Sequence, residues 1–151
     1  NGANVNNLPN RKSATSKYAR SLRVNLTETS GHLVTRNARY VTRRYPYIPQ
    51  GGNWKKIPPR LMKNYKNRTD CHTGIYYRLR ANASSIVIGN YRKNMLIHPW
   101  QHRGLSVREA ARLQSFPDSY IYKGSIGFQQ QQVSNAVPPL LAARVFKNIL
   151  L

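Results

Sequence analysis

One cysteine, four carboxylates and four histidines are all this chain offers for thiol, carboxylate or imidazole chemistry. The lone thiol, Cys71, rules out an internal disulfide and a cysteine-based zinc site. The histidines are not read as metal ligands. Glu28, Asp70, Glu109 and Asp118 are the only acids, whereas paired acid–base carboxylates and carboxylate metal clusters need several close together. A nuclease built on clustered acids is therefore excluded.

What the chain has in abundance is positive charge. In 151 residues, lysine and arginine number 25, for a formal net charge of +21. Such an imbalance calls for a polyanion, nucleic acid first and an anionic membrane surface second. No apolar run approaches the roughly 18 residues of a spanning helix, and no charged-then-apolar leader opens the chain, so the membrane reading is set aside. The single cysteine agrees with a reducing, cytoplasmic setting. Arg36, Arg39, Arg43 and Arg44 lie in one stretch, HLVTRNARYVTRRYPY, and suit phosphate contacts whose affinity falls with salt. Lys55, Lys56 and Lys63 follow as further phosphate candidates, and Arg103 is another candidate for DNA contact. Arg78, Arg80, Arg92 and Lys93 flank an expected hairpin; arginine pairs with both major-groove acceptors of guanine, which makes these the candidate readers. Arg78→Ala and Arg92→Ala are expected to lower sequence discrimination, and a lysine in 55–66 to set mainly the salt slope.

The elements that must position these residues read as follows. Residues 1–30 are polar and rich in Asn, Ser and Lys, a flexible lead-in or an arm lying along another surface; within them 17–24 fits a short helix or a strand. Gly51-Gly52 makes a turn beside Trp54, an anchor for a small core. LMKNYKN starts a short helix after the break at Ile57-Pro58-Pro59. Residues 75–80 and 84–88 read as two strands of a hairpin. Ser106 and Glu109 form a capping box for a helix, VREAARLQS, that Phe116-Pro117 ends. Arg108 and Arg112 on it fit either DNA contact or an internal polar network. A polar connector through Gln129–Gln132 precedes a last helix, with Asn135 as N-cap and Pro138 and Pro139 in its first turn. Leu140, Leu141, Val145 and Ile149 recur along it at helical spacing.

The wording carries a resemblance as well. RGLSVREAARLQSFPDSY strongly resembles motif IX of the DNA cytosine-5 methyltransferases, and QQVSNAVPPLLA resembles their motif X. IPQGGNWKKIP and GIYYRLRANASSIVIG look like the end of that family's target-recognition region. The resemblance covers roughly residues 45–150, two long motifs in the right order. It implies an α+β target-recognition domain of short strands and helices. A C-terminal helix would pack on a Rossmann-like, S-adenosylmethionine-dependent catalytic domain that this sequence lacks. The division expected is a flexible segment at 1–30, the recognition domain with the motif IX helix at 31–118, and the connector and motif X helix at 119–151. It also implies an approach helix ahead of Gly-Gly-Asn-Trp, and base readout in the loops around the hairpin.

The family's chemistry is cysteine attack on C6 of a flipped-out cytosine, then methyl transfer from S-adenosylmethionine to C5. Its nucleophile follows a proline; here Asp70 precedes Cys71, so Cys71 is read as an ordinary residue. The family's Phe-x-Gly-x-Gly, Pro-Cys, Glu-Asn-Val and Gln-x-Arg-x-Arg are all missing, which leaves the C-terminal third of such an enzyme, inactive alone. Through motif X, Asn135, Ala136 and Val137 would border the methyl-donor pocket, although Ser134 stands where the family has glycine; Asn135 as a simple helix cap fits the same residue. The partners implied are double-stranded DNA and a catalytic domain or subunit carrying motifs I–VIII, of bacterial or phage origin. Two alternatives remain: a sequence-specific DNA-binding module without catalysis, and a basic RNA-binding protein.

Overall fold

The computed structural model describes residues 5–10, 13–23, 26–65, 74–89 and 96–150. Its centre is an irregular ladder. The segment 75–79 lies between 51–54 and 96–97: the Gly51 amide donates to Arg78 O at 2.8 Å, Arg78 N to Gly52 O at 3.0 Å, and Ile97 N to Tyr77 O at 2.9 Å. Leu105 N then returns to Leu96 O at 3.2 Å. Extended backbone sends alternate side chains to opposite faces, so these strips divide two cores. Tyr76 and Ile97 join Val41, Tyr45, Ile48 and Met62 on one side. Leu79 and Leu96 join Leu105, Val107, Ala110 and Val133 on the other.

The expected hairpin does not form. Residues 84–88 carry no strand, and 75–79 takes its partners from 51–54 and 96–97 instead. Tyr76 has a φ of 54°, a left-handed conformation that interrupts a regular strand and that an aromatic side chain tolerates only when its surroundings hold it. The buried contact of its hydroxyl with Arg44 does so.

The helices are short. α1 (Lys17–Leu22) is capped by Ser16, which settles the open reading of 17–24 as helix. β1 (Leu8–Pro9) and β2 (Glu28–Thr29) pair antiparallel, Leu8 opposite Thr29. The expected approach helix contracts to α2 (Arg39–Thr42) and a 3-10 turn at Tyr45–Tyr47, because Pro46 removes an amide from a continuing helix. Of the helix read into LMKNYKN, the described residues 62–65 form no helix, and a 3-10 turn at Pro59–Leu61 precedes them.

α3 (Val107–Leu113) follows the sequence closely, with both halves of the capping box present and Val107, Ala110 and Ala111 buried. α4 (Ile126–Asn135) replaces the expected polar connector. Glutamine is a good helix former, and here Gln129 Nε2 donates to Gly124 O at 2.9 Å while Gln130 Nε2 reaches Thr35 Oγ1 at 2.8 Å. Val133 of α4 lies in the same core as α3, so packing runs continuously across residue 118. α5 (Pro139–Ile149) begins four residues after Asn135, which closes α4 and caps nothing. Its first turn is held from outside: Ser115 Oγ, just past α3, accepts the Leu140 amide at 3.1 Å.

The N-terminal segment lies along α3 and its flank. Gly31, at φ +85° where only glycine rests without strain, offers its carbonyl to Arg108 N at 2.8 Å. Leu22 O accepts from Asp118 N at 2.8 Å, and Tyr18 Oη donates to Arg112 O. Of the two readings of residues 1–30, the arm on another surface is the one seen in the described part.

Glu109 illustrates how the few acids are used. Burial pushes its carboxyl up, but Arg103 (two bonds of 2.7 Å), the Ser106 amide at 2.8 Å and the neighbouring positive charge together bring it below its usual 4.5. A depressed folded-state pKa contributes stability that is present above the unfolded value and lost as pH falls through the folded one. Unfolding free energy should therefore decline below about pH 4.5, and Glu109→Gln should flatten that decline. Urea melts at pH 3 to 7 check it; an unchanged acid slope in the variant contradicts the assignment.

Candidate nucleic-acid interface

The expected basic residues separate by what their guanidiniums and ammoniums can still reach. Arg78 is 3% exposed. Its side chain donates to the carbonyls of Tyr45, Ile48, His98 (2.7 Å) and Gln101 (2.9 Å), and Nη2 lies 3.0 Å from His102 Nδ1. Every donor is committed, so Arg78 ties three loops together and leaves the set of base readers. Burial also lowers its pKa from the ordinary arginine value.

Arg44 is 2% exposed and is likewise withdrawn as a direct phosphate ligand. It donates to Leu61 O at 2.9 Å, to the Tyr76 hydroxyl and to Asn64 Oδ1, among the rings of Tyr40, Tyr65 and Tyr76 at 5.3–5.4 Å. Cations over aromatic faces gain from the ring quadrupole. Tyr45 pairs with Asn37 at 2.8 Å, yet burial dominates and pushes its phenol up to about 12. Arg103 is spent on Glu109. Arg108 and Arg112 join the internal polar network rather than a surface: Arg112 is bidentate to Asp118 at 2.8 and 2.6 Å, and Arg108, fully buried, sits 3.8 Å from the same carboxylate.

Arg36, Arg39, Arg43, Lys55, Lys56, Lys63 and Arg80 remain exposed. Arg60, exposed on the turn at Pro59–Leu61, joins them; sequence reading passed over it, although its place beside the Pro58-Pro59 break was a signal. Gly51, at φ +77°, leaves open the space that the Arg80 guanidinium crosses, and a Cβ there would run into it. Arg92, Lys93, Cys71 and His72 lie outside the described residues.

The motif X residues sit on the link between α4 and α5. Asn135 is exposed, Val137 is 63% exposed, and Ala136 is half-buried against the core of α3. Ala136 and Pro138 have extended backbone. The sequence expectation of a methyl-donor pocket edge at Asn135, Ala136 and Val137 falls on this link. Beyond it, α5 buries none of its side chains: Leu140, Leu141, Phe146 and Ile149 are all more than half exposed. Exposed apolar stripes of that extent are uncommon on soluble monomers. No helix among the described residues is long and apolar enough to cross a membrane.

Comparison with known proteins places the chain. The family profile described as C-5 cytosine-specific DNA methylase matches residues 1–151. The type II methyltransferase M.PspPI of Psychrobacter sp. (strain TA137) is 35% identical over 111 residues, 69% of this chain and 27% of that relative. The type II methyltransferase M1.HphI of Haemophilus parahaemolyticus is 35% identical over 120 residues, covering 79% of this chain and 30% of the relative. The chain thus spans less than a third of these relatives' length. A solved structure assigned to a DNA modification methyltransferase encoded within an E. coli prophage superposes with a TM-score of 0.68 at 21% identity, over 95% of this chain and 39% of that one; at that identity the likeness concerns the fold.

Proposed function

The chain belongs to the C-5 cytosine-specific DNA methylase family, and we propose that it supplies the target-recognition region and closing helix of such an enzyme. In this reading it binds duplex DNA through its exposed basic face, and α5 docks on a catalytic domain carrying motifs I–VIII, either in the same polypeptide or in a second subunit. The methyl donor in this family is S-adenosylmethionine. Asn135, Ala136 and Val137 would form one edge of its pocket, the rest coming from the catalytic domain.

The observation that carries the reading is the pairing of two unlike surfaces on one small fold. Glu109 and Asp118 are withdrawn into internal pairs while Arg36, Arg39, Arg43, Lys55, Lys56, Lys63 and Arg80 face outward, as a polyanion site requires. On α5, an apolar stripe is left open for a protein. The Pro-Cys dipeptide that carries the family's nucleophile is missing from this sequence, Cys71 following Asp70 rather than proline, so the chain by itself is proposed to be inactive.

Methyl transfer from labelled S-adenosylmethionine to duplex DNA tests this, with the chain alone and mixed with a chain carrying motifs I–VIII. Activity is expected only in the mixture, and Phe146→Glu on α5 should reduce it at least tenfold while leaving the chain folded. Activity in neither, with sequence-specific DNA binding intact, would replace the reading with a recognition module that has no chemistry. A preference for RNA over duplex DNA at matched salt would replace both.

A further inference from the structure

Between α2 and the turn at Pro59–Leu61 lies a cavity of about 330 Å³ whose walls include Tyr40, Arg43, Arg60, Lys63 and Asn64, with Arg44 beneath them. Four cations border one concavity. Arg60 is steadied by the Tyr47 hydroxyl at 3.5 Å, while Asn64 and Leu61 O hold the Arg44 head in place. Arg44 directs Nε, Nη1 and Nη2 inward to Leu61 O, the Tyr76 hydroxyl and Asn64 Oδ1, and its buried charge adds to the field above it, since burial reduces the screening by solvent.

Among the described residues no carboxylate borders this cavity. Elsewhere Arg112 and Arg108 share Asp118 and Arg103 has Glu109, while Arg78 is enclosed by carbonyl acceptors. Glu28 is taken by Asn7 at 2.9 Å. The concavity therefore gathers like charges that repel one another with no counter-charge from the described chain, an arrangement stabilised when an anion arrives. The donors are three exposed cations around a fixed floor, and Tyr40 adds a ring at the rim, 59% exposed. That set matches a tetrahedral oxyanion with several acceptor oxygens, and it would serve a planar carboxylate less fully.

We infer that this cavity is a phosphate site that seats one phosphodiester of the DNA backbone between Arg43, Arg60 and Lys63. The inference rests on the DNA-binding reading above and deepens it: the site fixes where the duplex lies against α2, and reads no base.

The test uses the intact protein, a cognate duplex and a set of duplexes each carrying one neutral methylphosphonate linkage. One linkage is expected to weaken binding about tenfold for the protein and to have no effect on an Arg60→Ala/Lys63→Ala variant. The variant's slope of log affinity against log salt should fall by about 1, the loss of a single neutralised phosphate. Arg60→Lys/Lys63→Arg, which keeps the charge, should restore both, and urea melts establish that each variant is folded. A folded alanine variant with unchanged slope and affinity overturns the site while leaving DNA binding standing. If the protein binds no duplex at any salt, inorganic phosphate alone decides. Saturable NMR shifts at Arg60 and Lys63 then uphold the phosphate site and overturn its DNA occupant, and no shifts overturn both.

Discussion

Arg78→Ala is expected to lower the free energy of unfolding by about 3–5 kcal/mol, the range for stripping one partner from a buried, charged hydrogen-bond network. The guanidinium is 3% exposed and joins the turn at Tyr45–Ile48 to the loop from His98 to His102. Removing it leaves four buried or half-buried carbonyls without that donor and disconnects the ladder from the basic face. DNA affinity should then fall alike on every sequence. Arg78→Lys should rescue little, since a single ammonium cannot present donors to acceptors on opposite sides. Urea unfolding followed by circular dichroism measures the first effect. A loss under 1 kcal/mol, together with altered discrimination among sequences, would return Arg78 to the readers.

The second large effect is at Asp118, 2% exposed, where Arg108 and Arg112 converge. Arg108 has no solvent exposure, and its pKa is lowered chiefly by burial, against which the nearby carboxylate works. Asp118→Ala leaves that guanidinium with carbonyl partners from Ser30, Pro117 and Tyr120 but no counter-charge. Breaking a buried pair from one side costs about 3–5 kcal/mol, and Asp118→Asn should recover only the part due to hydrogen bonding. Because the cluster is buried, the loss should vary little between low and high salt, unlike that of an exposed pair. Melts of the three proteins at two ionic strengths check both statements.

The local signals in the sequence were the ones that held. Ser106 and Glu109 specify their capping box within four residues, and α3 appears where they put it. Polar patterning misled where it was taken for loop: Gln129, Gln130 and Gln132 donate through Nε2 to Gly124 O, Thr35 Oγ1 and Lys123 O, and the run forms helix. The alternation at 75–80 indicated extended chain correctly but named the wrong neighbour, because pairing with 51–54 and 96–97 is a tertiary choice that no local pattern encodes. Arginine was the least legible residue. Arg44, Arg78 and Arg108 look like Arg36 and Arg39 in the sequence, and only the surrounding carbonyls and rings, contributed by distant segments, decide which side chains turn inward. The last helix, α5, begins four residues later than Asn135 suggested as its cap.

The clasp of the N-terminal segment over α3 has a kinetic consequence. The Arg108 side chain bonds Ser30 across 78 positions, Tyr18 reaches Arg112 across 94 and Gln130 reaches Thr35 across 95. Closing loops of that length comes before any of these contacts can form, and contacts so far apart in sequence slow folding. α3 can coil early under its own cap, but Arg108 then waits, charged and short of acceptors, until the beginning of the chain returns. The helix with the clearest local signature is thus among the last to be sealed into place.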